Sequence, residues 1–285
     1  MKLANRHGRA VLVGDRTFLD VEEASGGEFS ADPMSLFQQW ARFSSWAATQ
    51  DVTTGAILDL ADLGAPSPRP AQVFGIGTNY RQQAEAFGWP IPEVPMVFTK
   101  FPSAVAGPTG LIELSGPRVD WEVEVVVVIG AGGHRIAAAD AWSHVAGITG
   151  GQDLSDRDAQ MRPTANPQFS LGKSFPGYAS IGPLLATLDE VENRDAIALT
   201  CSLNGEEVQS STTADLIFSI PQLIEYLSGI VTLLPGDLIF TGSPSGVGLS
   251  MDPPRFLTSR DTLVSWVEGA DEMRLEFTDG EGEPS

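Results

Sequence analysis

Three acids sit where neighbouring strands could bring them together. The stretch DWEVEVVVVIG (residues 120–130) opens a valine run with Glu122 and Glu124, and the apolar run VAGITGGQD ends on Asp153. Side chains along a strand alternate faces. Glu122 and Glu124 therefore share a face with Val126 and Val128, while Val123, Val125, Val127 and Ile129 take the other. Two carboxylates roughly 7 Å apart at Cα, half withdrawn from water, repel each other and lose solvation. They need a nearby Arg or Lys, a shared proton or a metal ion. The plain alternative is an exposed strand end where both acids meet water. Asp153 weighs against it, because its flanking glycines let backbone and ligand approach closely. Three carboxylates without a neighbouring His or Cys suit a hard cation, Mg²⁺ or Mn²⁺, with water or substrate in the open positions. Zinc fits less well: His7, His134 and His144 are scattered and lack ligand spacing.

The elements that must position these acids are mostly strands. After residue 70, short β-rich runs such as QVFGIG, MVFTKF, IALTCSL and DLIFTG alternate with Gly/Pro turns. Asn204-Gly205 between two runs signals a hairpin. Helices are predicted after Asn79, around 138–145 and at SIPQLIEYLSG, with Pro221 in the first turn. Strands without a βαβ rhythm predict an α+β fold built on a β-sandwich or β-roll. The first seventy residues read as a small N-terminal α+β region. It holds a hairpin at Gly14-Asp15 and one amphipathic helix over MSLFQQWARFSSWAAT, opened by Asp32-Pro33. The proline-rich LGAPSPRPAQ marks a boundary, giving a division into residues 1–70 and 71–285.

Composition narrows the partners. Lys and Arg number 17 against 37 Asp and Glu, a formal charge of −20. That argues against nucleic acid or an anionic membrane as partner. A single cysteine, Cys201, excludes an intrachain disulfide and reads as a buried strand residue. No secretory h-region opens the chain, and no apolar run reaches the ~20 residues that span a bilayer. The expectation is a soluble cytoplasmic protein.

The ordered blocks FGIGTNY, PMVFTKFPSA, DWEVEVVVVIG, GQDLSDRDAQ, GKSF, LNGEEVQ and PGDLIFTGSPSGVG resemble the fumarylacetoacetate hydrolase superfamily over about residues 72–280. The resemblance implies a mixed β-sandwich roll, a divalent metal, usually a homodimer, and small β-diketo or 2-oxo acids as substrates. It makes Glu122, Glu124 and Asp153 the metal ligands and Lys173 the active-site lysine. It places Tyr80, Gln160 and Thr241 along the substrate site, with Gly242 in the small-residue turn beside them. The chemistry is consistent on its own terms. A metal chelated by a 1-carboxylate-2-oxo unit polarises the carbonyl and stabilises an enolate, and Lys173 can offset further negative charge or move a proton.

One block departs from the family pattern. Relatives that hydrolyse or decarboxylate carry NY..H..E on a lid helix, and this chain reads NYRQQAEAFG. Gln83 replaces the histidine and Ala86 the glutamate. Glu85 is an acid one residue early, about 100° around the helix. Gln83 can orient a water but cannot accept its proton. Three readings follow. The first is a hydrolase whose water is activated by the metal with Glu85 or Lys173. The second is a decarboxylase, isomerase or dehydratase that needs no hydroxide attack. The third is a small-molecule binder without turnover. Family association favours hydrolysis of a C–C bond in an acylpyruvate or fumarylpyruvate type of acid, with Gln83, Glu85 and Lys173 as the catalytic candidates.

Overall fold

A computed structural model describes residues 1–280. Its frame is a twelve-stranded mixed sheet packed on a five-stranded sheet, with a two-stranded ribbon of Val119–Asp120 and Ser155–Asp156. The fold is α+β, as the run of strands predicts. At the centre of the large sheet, Val123–Ile129 lies between Val145–Asp153 and Leu238–Phe240, antiparallel to both. Every residue of that central strand is buried.

The valine run is continuous because both faces of the strand are covered. Val123, Val125, Val127 and Ile129 pack into the sandwich core with Leu199, Leu263 and Leu275 of the five-stranded sheet. Val126 and Val128 pack on the opposite side with Phe29, Leu36, Phe37 and Phe43 of the N-terminal segment. Burying such side chains stabilises the fold by about 1.5–3 kcal/mol each. The strand therefore cannot slip register without moving apolar groups to the wrong face.

The N-terminal region does not build a sheet of its own. Lys2–Arg6 pairs with Ala179–Ala186, so the early strands extend the large sheet at one edge. The described residues on the two sides of the proline-rich boundary thus share one sheet. The hairpin at Gly14-Asp15 forms, joining Arg9–Val13 to Thr17–Asp20. The hairpin at Asn204-Gly205 forms too, with both turn residues at positive φ, 54° and 86°. The single helix predicted over residues 34–49 is two, Pro33–Phe37 and Trp40–Ala47. The chain turns at Gln38-Gln39 so that Phe37, Trp40 and Phe43 can all stack against the sheet's outer face. The helix around 138–145 is a 3₁₀ segment, Ala138–His144, where His144 Nδ1 lies 2.7 Å from the Ala131 carbonyl. No helix among the described residues is long and apolar enough to cross a membrane.

Candidate functional site

Antiparallel register assembles the acids. Val123 faces Gln152 and Glu124 faces Gly151, so Glu122 falls opposite Asp153, whose N–H donates to the Glu122 carbonyl at 2.9 Å. Gly151 must be small: a Cβ there would lie 2.4 Å from Val126 and 2.8 Å from the Phe240 ring. Carboxylate oxygens of Glu122, Glu124 and Asp153 lie within 4.8 Å of one another. The three predicted metal ligands are therefore one cluster.

Buried cations surround it. Lys173 Nζ donates to Asp153 Oδ2 at 2.6 Å and Glu122 Oε2 at 2.7 Å. Lys100 Nζ donates to the other Asp153 oxygen, and neither lysine reaches solvent to any extent. Arg157 lies 2.7 Å from Glu122 Oε1 and grips Asp120 through two guanidinium nitrogens, at 2.6 and 2.9 Å. Asp120 is held in turn by the N–H groups of Trp121, Gly248 and Leu249. Lys173 ends the short helix Phe169–Gly172, where a Cβ on Gly172 would lie 2.3 Å from the Gln160 nitrogen. That close approach draws the lysine inward.

The charges divide unevenly. Burial alone would raise the Glu122 carboxyl, but Lys173 and Arg157 outweigh it and hold the group at about 2. Glu124 has only the Gly242 N–H, at 2.7 Å. Burial, then the neighbouring Asp153 and Glu122 charges, push it well above the ordinary range. Burial disfavours the Lys173 ammonium, yet Asp153 and Glu122 hold its pKa above the ordinary value. For Lys100 burial wins and the pKa falls, with Lys173 adding repulsion. The cluster thus carries one carboxylate more than its cations can satisfy. Nearby, the Tyr80 hydroxyl is buried without a hydrogen-bond partner. Burial first, then the charge of Glu124, raises its pKa. An excess buried carboxylate beside an orphaned hydroxyl is a donor set that fits a hard cation.

A cavity of about 620 Å³ opens over this cluster. Glu122, Lys173, Gln160 and Gln83 line it, as the motifs predict. Gln83, with Phe87 and Trp89, comes from the Arg81–Phe87 helix and its exit, and the two rings stack at 4.3 Å. Arg118 and Arg157 add positive charge, and Phe98 and Phe169 an apolar wall.

Six predicted residues are not on that wall: Glu124 and Asp153 are buried and only Glu122 of the three acids lines it, and four others lie elsewhere. Glu85 is exposed and does not line the cavity, and Ala86 beside it is exposed as well. Tyr80 packs in the sandwich core. Thr241 is buried and donates its hydroxyl to the Val125 carbonyl at 2.8 Å. Gly242, at φ 104°, orients Glu124 through its N–H. Thr241 and Gly242 support the acid-bearing strand, and the neighbouring Ser243 reaches the cavity. Reading the motifs missed Lys100, Arg157 and Asp120. Arg157 had a local signal, lying four residues after Asp153 and three before Gln160. Lys100 had none beyond its place in the PMVFTKF block.

A mixed β-sandwich with an acid cluster under a cavity lined by cations is the architecture that the comparison with known proteins places in a family. The model of the fumarylacetoacetate (FAA) hydrolase C-terminal domain matches residues 72–278, and the chain belongs to that family. Bovine (Bos taurus) mitochondrial oxaloacetate tautomerase FAHD2A is 43% identical over 206 residues, 72% of this chain and 65% of that protein. The chain therefore spans slightly under two thirds of that relative's length. Oxaloacetate tautomerase YisK of Bacillus subtilis (strain 168) is 36% identical over 283 residues, 92% of this chain and 93% of its own. The crystallised Mycobacterium smegmatis protein named for HpcE superposes with a TM-score of 0.93 at 45% identity, covering 99% of this chain and 100% of that one.

Proposed function

We propose that this protein interconverts the keto and enol forms of a small 2-oxo dicarboxylic acid of the oxaloacetate type, using Mg²⁺ or Mn²⁺ held by Glu122, Glu124 and Asp153. The observation that carries this reading is Gln83. At the cavity position where a hydrolytic relative has a histidine, the side chain is a neutral amide with no acid beside it, and Glu85 faces outward. An amide orients a substrate oxygen or a water but takes no proton from it. Keto–enol exchange needs no activated water. Two relatives that bear the tautomerase name, in cattle and in Bacillus subtilis, support the choice.

When bound, the cation acts as a Lewis acid on the 2-oxo group. The chain's own residues do the rest. Lys173, kept as an ammonium by Asp153 and Glu122, faces the cavity. On enolisation the C3–H bond breaks and its proton passes to solvent, Nζ gives a proton to the oxygen and is reprotonated from solvent, and ketonisation runs the same transfers in reverse. Arg157 fixes Glu122 from the other side. Arg118, which pairs with Asp158 at 2.9 Å on the cavity wall, is the cation offered to a distal carboxylate. The Phe87–Trp89 stack forms part of the cavity wall.

A second reading is hydrolytic cleavage of an acylpyruvate or fumarylpyruvate. The cavity favours it: about 620 Å³ with Phe87, Trp89, Phe98 and Phe169 on one side suits a longer acyl tail than oxaloacetate has. Decay of the oxaloacetate enol absorbance and loss of fumarylpyruvate, each followed with Mg²⁺ or Mn²⁺, separate the two. Fumarylpyruvate cleavage without enol decay would favour hydrolysis, and turnover of neither would remove the enzymatic reading. We propose a homodimer as well, supported by Val97 and Phe101, which lie on or beside the outer strand Met96–Thr99 and are exposed. Sedimentation at the mass of a single chain would exclude it.

A further inference from the structure

One polar row crosses the otherwise apolar sandwich core. Gln209, Cys201 and Ser265 lie abreast on adjacent strands of the five-stranded sheet, Cys201 pairing with Gln209 on one side and Ser265 on the other. All three are at most 2% exposed. Their polar ends meet the start of the acid-bearing strand. Gln209 Oε1 accepts the Val123 N–H at 3.0 Å. Gln152, on the facing sheet, accepts the Glu122 N–H at 3.0 Å. The Gln152 amide then donates to Ser265 Oγ at 2.7 Å and approaches Cys201 Sγ at 3.5 Å.

These contacts lie where the sheet ladder stops. The Val125 carbonyl still accepts the Thr241 N–H at the end of the adjacent strand, but Val123 lies beyond that strand, and its buried N–H needs another acceptor. Gln209 supplies it. The Gln209 amide also donates to Ser243 Oγ at 2.9 Å and to the Pro244 carbonyl at 2.8 Å. The next residue back, Gly242, is the one that holds Glu124. One side chain therefore ties the backbone between the two glutamates to the loop that orients the second. An apolar side chain of similar volume would leave the Val123 N–H without an acceptor, so Gln209 serves the backbone as well as the loop.

We propose that Gln209 and the Ser265–Gln152 pair are positioning residues that set the separation of the Glu122 and Glu124 carboxylates, and through it the affinity for a divalent cation. The inference rests on the cation-binding reading of that cluster. The test is Mn²⁺ affinity by titration calorimetry on wild type, Gln209→Met and Ser265→Ala, each shown folded by circular dichroism. Gln209→Met is expected to weaken the Mn²⁺ Kd by about 10- to 100-fold, the range for outer-shell partners of metal ligands. Ser265→Ala, which frees the Gln152 amide, is expected to give a smaller loss, and it decides the matter if Gln209→Met does not fold. Wild-type Mn²⁺ affinity in the folded variants, with only the melting temperature lowered, overturns the inference and leaves the cation site standing. No Mn²⁺ binding by wild type overturns both.

Discussion

Glu122 and Glu124 are two residues apart on one strand and experience opposite fields. Glu122 lies between Lys173 and Arg157, 2.7 Å from each, and is held at about 2. Glu124 has a single backbone N–H as hydrogen-bond partner, and burial with the charges of Asp153 and Glu122 outweighs the pull of Lys173 and raises its pKa well above the ordinary value. The first acid is satisfied by the protein, and the second is left for a cation.

Replacing Glu124 should therefore separate cation binding from stability. Glu124→Gln removes an uncompensated buried acid, so the metal-free protein should be at least as stable as wild type. It should lose the added stability that Mn²⁺ gives wild type, about 2.7 kcal/mol at a concentration about 100 times Kd. Activity should disappear with it. Thermal melts with and without Mn²⁺ check this, and a full Mn²⁺ response in Glu124→Gln would remove Glu124 from the ligand set.

The same pair predicts a pH signature for the metal-free protein. Glu124 has a folded pKa above its ordinary 4.5, so its contribution is fully present below 4.5 and fades as pH rises through the folded value. Glu122 has a folded pKa below 4.5, so its contribution is present above 4.5 and is lost as pH falls toward about 2. Cation binding must displace the Glu124 proton, so apparent Mn²⁺ affinity should rise with pH, up to about tenfold per unit, until Glu124 ionises. Denaturant titrations of wild type and Glu124→Gln across pH isolate the first effect. A difference that grows in favour of wild type above pH 4.5 would contradict it.

Lys173→Met should lower turnover by about 10²- to 10⁴-fold, the usual contribution of a positioned proton donor. Cation affinity should hold or tighten, because an ammonium leaves two of the cluster's carboxylates. Steady-state kinetics beside calorimetry make the check, and unchanged turnover would take Lys173 out of the reaction.

Lys100 is assigned support rather than contact with substrate, since it does not line the cavity. Lys100→Met should destabilise the metal-free protein by about 3 kcal/mol, the cost of breaking a buried ion pair from one side. Saturating Mn²⁺ should restore much of the loss. Urea melts of both forms would show whether the deficit instead persists in the loaded protein.

On the lid helix, Glu85→Gln should leave kcat within about twofold, because that side chain is exposed and away from the cavity. Gln83→His alone should not create strong acylpyruvate hydrolysis, since Ala86 leaves the imidazole without an orienting acid. A large gain in cleavage from that one change would show that the missing acid does not matter.

The sequence by itself determined what short-range rules control. Period-two alternation assigned the two faces of the valine strand, and the cores on its two sides follow that division. Turn chemistry placed the hairpins at Gly14-Asp15 and Asn204-Gly205. Carboxylates at the ends of two apolar runs, with the ordered motif blocks around them, were enough to find the acid cluster and the family. Only the tertiary structure decided what neutralises the acids and what faces the cavity. Lys100 reaches Asp153 across 53 residues, and Gln209 reaches Val123 across 86. Tyr80 and Thr241, which adjoin the site in sequence motifs, turn into the core. Such pairings depend on which strands become neighbours when the apolar faces are buried. A backbone period or a turn signal reports a few residues at a time and carries no record of that choice.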